Sequence, residues 1–437
     1  MKRKRIAALL LACGMLTGSL AGCGGGDSKD ETLAESGAAG GGSGEVLTLM
    51  HYFDPNNPED PYSVGFMALI DQFEKDTGIQ IKLETVPWNE IESKLVMTNQ
   101  SGNPTCDLSW VSSQKLSSLV NAGTLLPLDD YYAKLDTSGF IQQALDAATY
   151  AGDDKKYLVE MSVHSRGLWY NTDLVPEPPK TWDELVEIGQ KVNDPANGVY
   201  AFAAYTPKSY DTAELYLAPF TWSAGGKLGN EDGTAAWDNE GARKALQFAS
   251  DLKNKYGLMG DSCFVSDQSE LRHNFLNGNV AMLLENTAQL AEINQSELGQ
   301  AGKIKFAPIP GETGAAPCFT NGWSAAIPSH SKHPDLAWKF IEYMVQPEVQ
   351  IAHSKFDGGL PILSECYEDE YFRSAQYPDI ADNLAKNAGT MDPFVYYQEA
   401  LESFSTVNMS YMMDPSQDLE AMLQSSAKEF NTKYYGS

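Results

Sequence analysis

Positive charge is scarce in this sequence. Lys and Arg number 31 against 59 Asp and Glu, and the formal net charge is -28. A nucleic-acid binder must neutralise phosphates, so this balance argues against that class. It argues equally against a broad electrostatic grip on anionic lipid. No apolar run reaches the roughly 18 residues that a membrane-spanning helix needs, so an integral membrane protein is not expected. Cysteine and histidine number six each, and no CxxC pair and no HExxH stands in the chain, so a zinc site has no support. His330 and His333 sit three apart in a Ser/Pro stretch and read as a polar turn. A GxSxG elbow and a phosphate-cradling glycine loop are also missing. Neither metal nor cofactor is expected. What is present is 437 residues, 42% hydrophobic, enough for a sizeable core in two or three domains.

The first residues read as an address. Lys2, Arg3, Lys4 and Arg5 form a basic head, Ile6 to Leu16 is a short apolar stretch, and small residues follow. That order describes a secretory signal. Leu20-Ala21-Gly22-Cys23 adds a second meaning, because it resembles the lipobox of a bacterial lipoprotein signal. The resemblance implies acylation of Cys23 and cleavage before it. Removing residues 1–22 takes away four positive charges and moves the net charge from -28 to -32. Residues 23–44 carry almost no large apolar side chain, so they read as a tether. A random coil of that length keeps the body a few nanometres from the membrane. Cys106, Cys263, Cys318 and Cys366 remain in the body. Two disulfides, or four free buried thiols, both fit their wide spacing.

The body alternates strand and helix patterns. Val46 to Met50 and Ile79 to Val86 read as strands, and Phe66, Leu69, Ile70 and Phe73 recur at helical spacing over 63–76. Between them lies a Pro/Asn/Asp loop, DPNNPEDPYS. Pro87 to Glu90 opens another helix and Leu108 to Val111 is another strand. This alternation predicts an α/β lobe with a largely parallel sheet, and ligands sit beyond the carboxyl ends of such strands. Tyr52, Trp88 and Trp110 lie at or after those ends. A second unit begins near 163, with a strand at Gly167–Asn171 and a capping box at Thr181–Glu184. Asn230 to Gly233 reads as a hairpin turn, and it lacks the glutamate a calcium loop needs. Asp238 is expected to cap the next helix, and Pro334 to Val345 forms a late one.

Four stretches then carry a resemblance that spans most of the body. They are VLTLMHYF with FMALIDQFEKDTGIQIKLETVPWNEIESKL; GLWYNTDLVPEPPKTWDELVEIGQKV; WSAGGKLGNEDGTAAWDNEGARKALQF with FLNGNVAMLLEN; and FTNGWSAAIPSHSKHPDLAWKFIEYMVQPEVQ with GGLPILSE. Their order and spacing resemble the family 1 extracellular solute-binding proteins, the receptor components of carbohydrate ABC importers. The resemblance implies an α/β, two-lobe periplasmic-binding-protein-like fold (type II), with hinge strands between discontinuous lobes. It places lobe one at 45–162 plus 306–346 and lobe two at 163–305 plus 347–437. Crossings are expected near 160–163, 304–309 and 346. It further implies a monomer on the outer face of the cell membrane that binds a neutral mono- or oligosaccharide in the cleft and hands it to the permease.

A pyranose offers apolar C–H faces and a rim of hydroxyls, which call for aromatic planes and polar groups respectively. Trp169, Trp182, Trp237 and Trp338 fall in or beside regular elements and read as core. Trp88, Trp110, Trp222 and Trp323 lie at loop or strand-end positions, where stacking on a ligand competes with ordinary packing. By family position the lining is expected to include Trp110 with Ser113, Trp222, Glu285 with Asn286, and Gly322 with Trp323. Tyr52, Trp88, His164 and Asp357 complete the candidate set. The family's usual small residue, proline and aspartate before Trp110 is here Asn103-Pro104-Thr105-Cys106-Asp107, which leaves that loop's geometry open. No Arg or Lys cluster marks these positions, which favours a neutral ligand over a phosphate or sulfate. A surface glycoside hydrolase or a non-catalytic glycan-adhesion protein is the alternative. A hydrolase needs two opposed carboxylates, and no motif singles out a pair.

Overall fold

The computed structural model describes residues 44–150, 152–374, 376–389 and 391–436. The signal, Cys13, Cys23 and nearly all of the tether lie outside the described residues.

The chain opens with the strand Val46–His51 and the helix Pro61–Thr77. Asp60 caps that helix, its carboxylate accepting from the backbone N–H groups of Tyr62 and Ser63 at 3.2 and 3.1 Å. Pro61 follows in the first turn, where its missing N–H costs nothing. Phe66, Leu69, Ile70 and Phe73 make the buried face, each contributing about 1.5–3 kcal/mol of burial. The helix serves as the crossover that a parallel pair requires, and Gln80–Thr85 pairs parallel with Val46–His51. Leu108–Ser112 joins the other side, also parallel. Two late arrivals complete the sheet. Trp323–Ala326 runs antiparallel against Leu108–Ser112 and carries Leu158–Glu160 at its far edge.

A second sheet has the order Ile304–Ala307, Arg166–Asn171, Val280–Asn286, Tyr200–Ala203, with only the last pair parallel. The helix Trp182–Val192 lies against it, capped by Thr181 Oγ1, which accepts from the Glu184 N–H at 3.2 Å. The returning Glu184 carboxylate takes the Lys180 N–H at 2.7 Å, one residue before the cap. Asn239, not Asp238, caps Glu240–Asn254, accepting from the Ala242 N–H at 3.0 Å. The turn at 230–233 is the expected hairpin, bridged by Gly229 and Ala235. The C-terminal helices Tyr397–Met413 and Leu419–Tyr435 pack on Glu240–Asn254 around Trp237, whose ring lies 5.9 Å from Phe404 and 5.5 Å from Phe430.

Two of the expected crossings are displaced. Ile304–Ala307 is an edge strand of the second sheet, so the chain returns to lobe one after 307, close to 320, not at 306. The helix Pro347–Asp357 packs on Pro61–Thr77 of lobe one, with the Phe356 ring 5.3 Å from Tyr62. It was expected in lobe two, but its apolar face, carrying Val349, His353 and Phe356, finds its complement in the first lobe. Ile362 then accepts from the Ile141 N–H of lobe one at 2.8 Å, so the last crossing follows that segment. Three stretches run side by side at the hinge. Val163 and Leu360 exchange backbone hydrogen bonds of 3.0 and 2.9 Å, and the His164 N–H donates to the Asn321 carbonyl at 2.7 Å. Cys106, Cys263, Cys318 and Cys366 are all buried and unpaired, which decides between the two cysteine readings. Among the described residues no helix is long and apolar enough to cross a membrane.

Candidate functional site

Between the lobes lie two adjoining chambers of about 610 and 700 Å3. They share Trp88, His164, Ala288, Gln289 and Trp323. Lobe one supplies the rings. Tyr52 follows the first strand because His51 Nδ1 accepts its N–H at 2.8 Å and turns the chain there. Trp323 opens its own strand, and its ring centroid stands 4.5 Å from that of Tyr52. Trp88 sits in the turn closed by the Glu90 N–H on the Pro87 carbonyl and is 54% exposed, a large apolar plane turned to the cleft. Tyr62 and Phe356 extend the same wall in the second chamber. Sequence reasoning missed both. Tyr62 had a signal, since it follows the Pro-rich loop whose Asp54, Asn57 and Asp60 line the same chamber.

Lobe two supplies polar groups. Asn286 lines the first chamber, its side chain accepting from the Ala288 N–H at 2.9 Å and so holding Ala288 and Gln289 at the cleft edge. Arg166 reaches in from its strand, bonded to Asn321 Oδ1, 3.8 Å from Glu214, with its guanidinium over the Phe319 ring. Glu214 accepts from Tyr397 Oη at 2.6 Å and from Gln114 Nε2 of lobe one at 3.1 Å. Burial pushes the Glu214 carboxyl up to about 7 despite the nearby Arg166. At the hinge, burial also drives the Asp357 carboxyl upward. His164 at 3.3 Å, with His353 and Ser162, outweighs that and holds it well below the usual carboxylate range.

Eight of the eleven expected residues border interlobe space, and three do not. Tyr52, Trp88, His164, Asn286, Gly322, Trp323 and Asp357 line the two chambers. Ser113 lines a smaller interlobe cavity and bridges inward, taking the Gly322 N–H at 3.3 Å. Gly322 has a structural reason to be glycine, since a Cβ there would stand 1.8 Å from the Ser162 carbonyl oxygen. Trp110 is a correction: it is fully buried, with ring centroids 5.2 Å from both His51 and Phe66, beneath the wall instead of on it. Trp222 is a second, packed beside Gly389 and bordering neither chamber. Glu285 is a third, buried behind Asn286 and paired with Arg272 at 3.2 Å, because its strand position points into the lobe.

Two α/β lobes, three hinge segments and an aromatic-against-polar cleft define a two-lobe ligand-binding protein. The profile described as "Bacterial extracellular solute-binding protein" matches residues 68–382, and the chain belongs to that family. The family is one of binding proteins outside the cytoplasm. A binding protein of Brucella abortus (strain 2308) is 27% identical over 343 residues, covering 77% of this chain and 80% of that one. The maltodextrin-binding protein MdxE of Bacillus subtilis (strain 168) is 25% identical over 298 residues, covering 65% and 67%. Among solved structures, maltose-bound MalE3 of T. maritima has a TM-score of 0.76 at 21% identity, covering 88% of this chain and 99% of that one. That likeness shows the fold.

Proposed function

We propose that this protein captures a neutral sugar or oligosaccharide between its lobes and delivers it to an ABC importer. In this reading Cys23 carries lipid, residues 23–44 form the leash, and the monomeric body works at the outer face of the membrane. The observation that carries the reading is the opposition of Tyr52, Trp88 and Trp323 on one lobe to Asn286 and Gln289 on the other. Rings cover the C–H faces of a pyranose and the polar wall meets its hydroxyls. Arg166 is already engaged by Asn321 and Glu214, and Lys115, which lines the same chamber, lies among the carboxylates of Glu92, Asp211 and Glu214, so the two cations are offset and the chamber does not favour a phosphate. The relatives' names, a maltodextrin-binding protein among them, support the same class. The combined size of the chambers supports a chain of sugars over a single ring.

The test is calorimetry and thermal shift of the purified body against a glycan panel that includes the malto-oligosaccharide series. Saturable 1:1 binding without released product is expected, and a released monosaccharide would overturn it. Trp323→Ala is expected to weaken binding by about 1–3 kcal/mol, roughly a five- to 150-fold rise in Kd. Trp222→Ala is expected to leave the affinity unchanged, and equal affinity in wild type and Trp323→Ala would reject the site.

A further inference from the structure

A third interlobe cavity of about 170 Å3 adjoins the first chamber. Lobe one contributes Ser117, Thr149 and Tyr150 to it, and lobe two contributes Phe319, Thr320 and Phe394. Rings and hydroxyls therefore both line this space, as rings and polar groups line the larger chambers. The size suits one six-membered ring, since a cavity of about 150 Å3 accommodates benzene. This space is nevertheless separate from the first chamber.

The separation is made by side chains of both lobes. Gln114 lines the first chamber and the third cavity alike. Its Nε2 donates to Glu214 Oε2 at 3.1 Å, and Tyr397 Oη donates to Glu214 Oε1 at 2.6 Å. Glu214 faces the first chamber and Tyr397 the third cavity, so the partition is one layer of hydrogen-bonded side chains thick. Arg166, 3.8 Å from the carboxylate, braces Glu214 from its own strand. Glu214 is 1% exposed. A ligand that pushed Gln114 aside would leave that buried carboxyl short of a donor, and an unmade bond to a buried group is costly.

We propose that Gln114, Glu214 and Tyr397 form the end-stop of the ligand cleft, fixing how many sugar rings it accepts at this end. The inference rests on the carbohydrate reading above. Because the Gln114 bond spans the two lobes, the stop is complete only in the closed form. Specificity for length is thus set at the moment of closure, by the contact that also helps hold the lobes shut. Gln114 is the element to remove, since its side chain alone bridges the two cavities from lobe one.

The experiment measures affinity along the malto-oligosaccharide series, from maltose to maltoheptaose, for wild type, Gln114→Ala, and Gln114→Ala with Ala147→Trp. Ala147 borders the third cavity on the lobe-one side, so the added indole refills it. Wild-type affinity is expected to stop rising at one chain length. Gln114→Ala is expected to continue rising for one ring more, by about tenfold, and the double variant to return to the wild-type profile. Superimposable length profiles for wild type and Gln114→Ala would overturn the end-stop while leaving the sugar site standing. Extension that persists in the double variant would likewise overturn it, because the extra ring would then lie elsewhere. If wild type binds a different oligosaccharide of the panel, the same three proteins are compared along that oligosaccharide's length series, and failure of wild type to bind any glycan of the panel overturns the oligosaccharide reading and the stop with it. Thermal melting of each variant separates these outcomes from loss of fold.

Discussion

Glu160 ends the strand that enters the hinge, and it is 2% exposed. Ser324 Oγ donates to one oxygen at 2.5 Å, and Ser113 Oγ stands 3.5 Å from the other. No cation pairs with it among the described residues. Burial pushes its carboxyl from 4.5 up to about 8, against the opposing pull of the two serines, and Asp357 adds to the rise. Below pH 4.5 the group is neutral whether the chain is folded or not. Between 4.5 and 8 the folded protein retains a proton that the unfolded chain has lost, so stability falls as pH rises through that window. Above 8 the full cost is present. At about 1.4 kcal/mol per pH unit this amounts to roughly 4–5 kcal/mol. Glu160→Gln is neutral at every pH and offers comparable hydrogen bonds. Urea unfolding at fixed intervals between pH 4 and 9 is the assay. Wild type and variant are expected to agree near pH 4, and the variant to become progressively more stable from about pH 4.5 upward, levelling off near pH 8. Parallel pH curves for the two would refute the reasoning, because other titrating groups cancel in the difference.

Two further outcomes follow from burial and from the anchor. Trp110→Ala is expected to cost about 3–5 kcal/mol of stability, measured by chemical unfolding, because the indole fills the space between His51 and Phe66. Loss of ligand affinity without loss of stability would contradict its placement beneath the wall. Cys23→Ser is expected to abolish incorporation of labelled fatty acid and to leave the protein unprocessed or in the medium. Normal labelling of that variant would reject the lipid anchor.

Local pattern made the elements legible, and long-range pairing decided the rest. Trp169, Trp182, Trp237 and Trp338 read as core because each lies in or beside a regular element, and all four are buried. Trp110 lies in a strand and is buried like them, although its place near the strand end points to the lining. Its strand is central and covered on both faces, so alternation gives no outward side. Trp222 follows Ala213–Leu217, a segment of wider helical turn. An extra residue per turn rotates the face that comes after, and sequence spacing does not register it. The helix Pro347–Asp357 was placed by chain order, whereas its partner helix begins at Pro61. The pairing of Gln114 with Glu214 joins residues 100 apart and has no local signature at all.

The division of labour between the lobes constrains how closure works. In the proposed reading, rings on lobe one and amides on lobe two touch one ligand together only when the cleft is shut, so binding energy is realised only in that state. Backbone bonds tie 163 to 360 and 164 to 321, so the three hinge segments are joined to one another. Gly358 takes φ 79° at the end of its helix, and a Cβ there would stand 2.9 Å from the Ala288 carbonyl oxygen. Lobe one thus meets the polar wall of lobe two backbone to backbone at that point. A side chain at 358 is expected to wedge the cleft open beside Gln289 and so to part the rings of Trp88 and Trp323 from the amides that face them.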